Sequence, residues 1–381
     1  MAVESSPGSV SASSEMKKIG VIDADIHPRM NTLSQLHPYM TEGWRKRMGV
    51  KPLSLPSDQN TARNVFTIPK RWYYHPIGAE RPDAIPPNGG RPGSDLATLQ
   101  RDHLDKYDID FGILIAGDLF GLGGCPDPDM TAALASASND WVLEEWCGQD
   151  QRLKAAIHVG PRDTKLAVQE IERLADHPSV VQIQIPQVDL LLGNRQFFPI
   201  YEAAAHFGLP VAVHGAGESA GVNTPMNPVG IPYYYIEVHT GATMFAQANI
   251  ISLIAEGVFQ KFPSLKFVFQ EMGYAWLPSI IWRFDKEWRS LRSEVPWLKK
   301  PPSEYILEHI LLTSQPIEEP PTSAEHLQIL KMMRAENTLL FSSDYPHWDF
   351  DNPRQVLNEA PDCMRKRIFS ERALEVYGKI C

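Results

Sequence analysis

Short runs of β-branched and aromatic residues recur along this chain, and amphipathic stretches fill the intervals between them. Eight runs read as strands: GVIDAD (20–25), FGILIA (111–116), KAAIHV (154–159), VVQIQI (180–185), PVAVH (210–214), KFVFQE (266–271), ILLT (310–313) and TLLFSS (338–343). Between them, DTKLAVQEIERLADH sets Leu166, Ala167, Ile171, Leu174 and Ala175 on one side of a helix. FPIYEAAAHFG has Pro199 in its first turn and stops at Gly208. TMFAQANIISLIAEGVFQKF (243–262) is apolar enough to lie largely against a sheet. Strands alternating with helices imply a parallel sheet, and eight such units predict an α/β fold, a (β/α)8 TIM barrel. An open doubly wound sheet is the weaker alternative, because no glycine-rich phosphate loop follows the first strand.

Proline interrupts this pattern once. The chain has 32 prolines, densest over 52–95, where neither regular helix nor central strand can form, so a long insertion after the first strand is predicted. The aromatic cluster WYYHP (72–76) within it reads as loop packing. Residues 1–17 read as a serine-rich disordered leader without the apolar core of a signal peptide, and 18–381 as one barrel domain.

Composition narrows the classes of function. With 381 residues, 43% apolar and 22% charged, the chain can bury a large core. A net charge of −10 argues against nucleic acid or an anionic membrane as partner. No stretch approaches the roughly 20 apolar residues of a membrane span. A cytoplasmic protein acting on a small molecule is the expectation. The four cysteines lack CxxC spacing and receive no role.

The chemistry concentrates at strand ends. In VIDADIHPRM (21–30), Asp23, Asp25 and His27 alternate, so an unbroken strand would present all three on one face. Asp25 and His27 end the first strand, His158 lies near the end of the third and His214 ends the fifth. Glu271 ends the sixth, and Asp344 follows the eighth. In a barrel those ends converge on one rim. Two imidazoles and two carboxylates make a ligand set of intermediate hardness for a divalent cation, which the carboxylates neutralise. Zinc, manganese or iron would suit it: one ion, with donors enough for two.

With those residues in place, the sequence resembles the amidohydrolase superfamily over roughly 19–380. The resemblance is to the branch containing aminocarboxymuconate-semialdehyde decarboxylase and related aromatic-acid decarboxylases. It is carried by VIDADIHPR, AAIHVGPRD with KLAVQEIERL, PIYEAAAHFGLPVAVHG, EGVFQKFPSLKFVFQEMGYAWLP and LLFSSDYPHWD. The resemblance implies that Asp25 and His27 supply the first-strand ligand pair, His214 the fifth-strand ligand and Asp344 the eighth-strand one. Many members of the branch carry a histidine at the end of the sixth strand, where this chain has Glu271. Glutamate can act as a base or as a further ligand, but it cannot replace a cationic imidazole. Gln184 stands where a bridging lysine would be expected on the fourth strand, which argues against a lysine-carbamate centre.

Around this core set, Arg29 is a candidate for a substrate carboxylate or for a structural salt bridge. His158 and His347 are further substrate-side candidates, His347 being placed to orient Asp344. His239, expected just before a helix, is a candidate proton donor or ligand, and Glu80 a candidate extra ligand. Asp344, Glu271 and His239 are the expected acid–base groups. The expected function is a metal-dependent hydrolase or decarboxylase of a small carboxylated or amide-type substrate. The alternatives are a dinuclear iron or iron–manganese oxygenase on the same fold and a non-catalytic partner subunit. A homo- or hetero-oligomer with a related barrel is expected, with EVPWLKKPPSEY (294–305) as a surface arm exposing Trp297 and Tyr305.

Overall fold

The computed structural model of the chain describes residues 20–48, 80–215 and 234–380. Eight parallel strands follow one another in sequence order: β1 (Ile22–Ile26), β2 (Phe111–Leu114), β3 (Leu153–His158), β4 (Val180–Gln184), β5 (Val211–His214), β6 (Phe267–Gln270), β7 (Ile310–Thr313) and β8 (Leu339–Leu340). The last strand returns to the first. The Ala24 amide donates to the Phe341 carbonyl at 3.0 Å and the His27 amide to the Tyr345 carbonyl at 2.8 Å. The result is a nearly closed barrel with helices between its strands, the architecture that the alternation of elements predicts.

At least one buried residue from each strand, including Ile22, Ile113, Ala212 and Leu340, fills the barrel, and Val376, Tyr377 and Ile380 of the C-terminal segment join the same cluster. A larger apolar layer lies between strands and helices. Such filling makes the barrel interior a packed core, so chemistry is confined to its mouth.

The first strand departs from the simple alternation. Asp23 pairs with Gly112 and Ile26 with Leu114, so β1 carries one residue more than β2 over this interval. A bulge of this kind breaks the two-residue period and re-aims the side chains beyond it. Ile22 and Ala24 belong to the interior cluster. Asp23 is turned away from the mouth, to His103 Nε2 at 2.8 Å and the Ser343 hydroxyl at 2.5 Å. The expectation that Asp23 shares a face with Asp25 and His27 is thus corrected.

The helix Thr164–Leu174 opens at Asp163, whose carboxylate accepts from the Lys165 amide at 2.9 Å and the Leu166 amide at 3.3 Å. It buries Ala167, Ile171 and Leu174, as the spacing predicts. Phe198–Phe207 has proline in its first turn and ends at Gly208 with φ +66°. The single helix expected over 243–262 is instead two, Tyr235–Ala255 and Val258–Lys261, parted by Gly257 at φ +74°. The first begins ahead of 243 because the Tyr234 amide donates to the Glu237 carboxylate at 2.7 Å, closing the first turn. His239 therefore lies within a helix, not before one.

Tyr305 is a further correction. It is buried in the helix Pro302–His309, its hydroxyl bonded to Gln260 and to the Lys299 amide, while Trp297 stays partly exposed with its indole N–H on the Ala255 carbonyl at 2.7 Å. Of the proline-rich stretch, 80–95 forms irregular chain with one short 3-10 helix, Pro82–Ala84, and tight turns after it. The cluster at 72–76 and the expected leader lie outside the described residues. Among the described residues no helix is long and apolar enough to cross a membrane.

Candidate metal centre

The bulge in β1, the end of β5 and the turn after β8 bring Asp25, His27, His214 and Asp344 together. One donor atom from each lies within 4.8 Å of the others, and all four residues are buried. His27 Nε2 is 3.2 Å from Asp25 Oδ1 and 2.8 Å from Asp344 Oδ1, and His214 Nε2 is 3.2 Å from Asp25 Oδ2. Residues from three widely separated parts of the chain thus meet as the strand-end pattern predicts.

The His27 tautomer follows from its partners. Nδ1 lies 3.0 Å from the Ile115 carbonyl, which can only accept, so Nδ1 carries the proton and Nε2 a lone pair. Burial holds His27 neutral, its pKa pushed down to about 3. That lone pair points at two carboxylate oxygens, an arrangement repulsive unless a proton or a metal cation lies among them. Both Asp25 oxygens, Asp344 Oδ2 and His27 Nε2 are buried without a hydrogen-bond partner among the described residues. Orphaned polar atoms at this density are costly, and a divalent cation satisfies them together. Burial, only partly offset by His27, lifts the Asp25 pKa to about 7. It also raises that of Asp344 well above the usual carboxylate range, reinforced by Glu271, Asp349 and Asp25. The donor set fits a metal.

A second layer fixes these ligands. Arg29 Nη2 donates to His347 Nε2 at 2.7 Å, and since arginine can only donate, His347 must direct its Nδ1–H at Asp344 Oδ1, 2.7 Å away. Arg29 Nη1 is 3.5 Å from Asp118 and Nη2 is 3.9 Å from Glu80, the salt-bridge alternative for this residue. Glu80 also pairs with Arg91 at 3.2 Å and is absent from the donor clusters. Phe120 stacks on His214 with centroids 4.2 Å apart and meets the His27 ring edge-on at 5.3 Å. Nothing in the FGLGG neighbourhood marks Phe120 in sequence, because its role depends only on packing.

Glu271 and His239 stand just outside the four. Glu271 Oε2 is 3.4 Å from His214 Nε2, and Oε1 is 3.3 Å from His239 Nε2. His239 Nε2 also lies 3.1 Å from Asp349 Oδ2. Burial opposes charge on His239, but Asp349 and Glu271 more than offset it and lift its pKa to about 10. Asp349 is a site residue that sequence reasoning missed, although it lies within SSDYPHWD, two positions after His347. His158 is buried and neutral, burial pushing its pKa down to about 3. It lies outside the donor clusters, its amide bonded to Asn139 Oδ1 at 2.8 Å.

Two of these residues sit in the left-handed region, Glu271 at φ +53° and Asp344 at φ +60°. Such backbone costs of order 1–3 kcal/mol each and persists where the surroundings over-determine it. At Glu271 those surroundings include the Thr313 hydroxyl, which receives its amide at 3.1 Å, and Gly215, whose missing side chain leaves room for the Glu271 carbonyl. A Cβ at Gly215 would overlap that carbonyl oxygen. Gly215→Ala is therefore expected to cost roughly 1–3 kcal/mol, as overpacking does. It should also displace both Glu271 and the neighbouring His214, which thermal melting and bound-metal analysis would register together. An unchanged melt and metal content would refute this account.

Known proteins share this arrangement of elements. A gamma-resorcylate decarboxylase of Polaromonas sp. (strain JS666) is 26% identical over 243 residues, spanning 59% of this chain and 70% of the relative. Among solved structures, 5-carboxyvanillate decarboxylase from Sphingomonas paucimobilis superposes with a TM-score of 0.64 at 20% identity, covering 95% of this chain and 99% of that one. The 5-carboxyvanillate decarboxylase of Novosphingobium aromaticivorans, solved with manganese and 4-hydroxy-3-methoxy-5-nitrobenzoic acid, gives 0.63 at 21%, covering 94% and 96%. At these identities the structural matches speak for the fold. The amidohydrolase family profile matches residues 22–379, from the first strand of the barrel into the C-terminal segment, and the chain belongs to the amidohydrolase family.

Proposed function

We propose that this protein is a metal-dependent carboxy-lyase that removes CO2 from a small hydroxylated aromatic carboxylate. The observation that carries the reading is the His27 lone pair aimed at Asp25 and Asp344, a convergence that a divalent cation among the three would satisfy. The reaction class takes its support from the relatives, named as decarboxylases of aromatic acids, one of them solved with manganese. Hydrolysis of a carboxylated or amide-type molecule is the other reaction the same donors support.

Asp25, His27, His214 and Asp344 would hold the ion. When bound, a divalent cation acts as a Lewis acid toward substrate oxygens and lowers the pKa of bound water. Decarboxylation then asks one thing of the protein. A proton must reach the ring carbon as the bond to the carboxylate breaks, its electron pair staying on the ring and CO2 leaving. Asp344 is the group placed for this transfer, held by the His347 Nδ1–H, with Glu271 and His239 next in line. In hydrolysis, Asp344 or Glu271 would take a proton from water instead. His158 would face the substrate as a neutral imidazole. Arg29 acts through His347, and a substrate carboxylate would have to compete for it with Glu80 and Asp118.

The oxygenase alternative takes its support from one feature, the carboxylate-rich group of Glu271 and Asp349 beside His239. The complete donor set weighs against a partner subunit that has lost its metal. The proposal includes a cytoplasmic setting and assembly into a homo- or hetero-oligomer, the latter measurable by sedimentation.

The test is direct. Chelated protein reloaded with manganese is expected to release CO2 from dihydroxybenzoates or carboxyvanillate, with activity lost on chelation and restored by the ion. Manganese-loaded protein that is inert toward hydroxylated benzoates but consumes O2 when loaded with iron would overturn the decarboxylase reading.

A further inference from the structure

We propose that the wall of the mouth formed by β3 and β4 is a subsite for an uncharged hydroxyl of the substrate, held between the Gln184 side-chain amide and the His158 imidazole. This deepens the reading of the protein as a carboxy-lyase of hydroxylated aromatic acids, and rests on it.

Strand register places the pair. Ala156 pairs with Gln182 and His158 with Gln184 across β3 and β4, and Gln184 pairs in turn with Ala212 of β5. Residues paired across a parallel sheet share a face, and so do residues two apart on one strand. Ala156 and Ala212 belong to the cluster that fills the barrel. His158, Gln182 and Gln184 therefore point inward too, with His158 and Gln184 one step nearer the mouth, and all three are buried. The metal centre adjoins them, since His214, two residues beyond Ala212, is close enough to join burial in holding His158 neutral.

The wall is rigid, yet its hydrogen bonding is incomplete. The Tyr377 hydroxyl donates to Gln182 Oε1 at 2.9 Å, and Gln182 Nε2 donates to Gln184 Oε1 at 3.1 Å. This one-way chain leaves Gln184 Nε2 as its donor end. Asn139 clamps the His158 backbone, accepting from its amide at 2.8 Å and donating to its carbonyl at 2.9 Å. Gln184 Nε2 and His158 Nε2 are nonetheless buried without a hydrogen-bond partner among the described residues. Each such group is costly, and a ligand atom that meets both recovers the cost.

The surroundings decide what that atom is. The acids of the mouth come from β1, the end of β6 and the turn after β8, whereas β3 and β4 carry none. Gln184 cannot ionise, and burial holds the His158 pKa down to about 3. A carboxylate seated here would be buried without a counter-charge. A hydroxyl accepts from the Gln184 amide and either donates to His158 Nε2 or accepts from it, so it satisfies both whichever ring nitrogen holds the proton. A ring hydrogen in its place leaves both groups unpaired, which is how a site made for a hydroxyl rejects the analogue lacking it. The substrate class narrows accordingly, to aromatic acids with a hydroxyl beyond the oxygens a metal would take.

The test uses the full chain loaded with manganese and two acids that differ by one hydroxyl, 2,6-dihydroxybenzoate and 2-hydroxybenzoate. The wild-type protein is expected to favour the dihydroxy acid by about 10²-fold or more in kcat/KM, and to bind it more tightly by calorimetry. Crystals of that complex should place one hydroxyl within hydrogen-bonding distance of Gln184 Nε2 and His158 Nε2. Gln184→Met and His158→Phe, which roughly keep side-chain shape, should each cut the preference about tenfold or more, chiefly through the dihydroxy acid, with bound manganese and the thermal melt retained. Tyr377→Phe removes a positioning residue that acts through Gln182, and should weaken the preference by a smaller factor. Should a variant fail to fold, the place of the hydroxyl in the wild-type crystals decides. No preference in the wild-type protein, a preference that survives both substitutions, or a loss that falls equally on both acids would overturn the inference and leave the carboxy-lyase reading standing. If the wild-type protein neither bound nor turned over either acid, that reading would fall as well, so the two failures are distinguishable.

Discussion

Asp344→Asn is expected to lower kcat by about 10³-fold or more, towards the upper end of what a positioned acid–base group contributes. The fold and most of the metal should remain. Asparagine suits the position for a backbone reason, since Asp344 sits at φ +60° and asparagine tolerates that region better than almost any other side chain. Its amide oxygen can still accept from the His347 Nδ1–H that now ends on Asp344 Oδ1 at 2.7 Å. Asp25, His27 and His214 still offer three donors to the ion. What disappears is the titratable oxygen beside it. Steady-state kinetics with bound-metal analysis and a thermal melt on the same preparation check this. Retained activity would remove Asp344 from the acid–base role, and a lost fold would show that its charge is structural.

Much of this site is legible in the amino-acid sequence. Each of the eight strands lies where a short β-branched or aromatic run predicts one, because a strand buried on both faces has little choice of residue type. The carboxyl-end positions of Asp25, His27, His214, Glu271 and Asp344 follow from those strands. What escapes is what depends on single-residue irregularities and on contacts across the chain. The bulge between Asp23 and Ile26 has no marker in GVIDAD, so alternation alone puts Asp23 on the wrong face. The helix holding His239 starts at Tyr235 although YYYIEVHT is rich in residues that favour strands. There a side-chain bond from Glu237 to the Tyr234 amide, and burial of Val238 and Ala242, outweigh local preference. Asp349 escapes because it pairs with neither Asp344 nor His347. It meets His239, which the fold brings from the other side of the mouth.

The bulge also separates the consequences of two carboxylates that stand two residues apart. Asp23→Ala is expected to destabilise the fold by roughly 3–5 kcal/mol, the cost of breaking a buried pair by removing one partner. Asp23 is fully buried and accepts from four directions: the Ser343 hydroxyl at 2.5 Å, the Ser343 amide at 2.9 Å, the Asp25 amide at 3.2 Å, and His103 Nε2 at 2.8 Å. Removing it orphans donors on β1, on the turn after β8 and on the segment Gln100–Asp105, where β8 returns to β1 to close the barrel. Asp25→Ala should behave in the opposite sense. It takes away a carboxylate whose oxygens have no hydrogen-bonded partner among the described residues, so the chain should fold while its metal and its turnover are lost. Chemical denaturation of the two variants alongside metal analysis separates them. If Asp23→Ala folded as well as wild type and lost only its metal, Asp23 would face the mouth after all, and the register of β1 given above would be wrong.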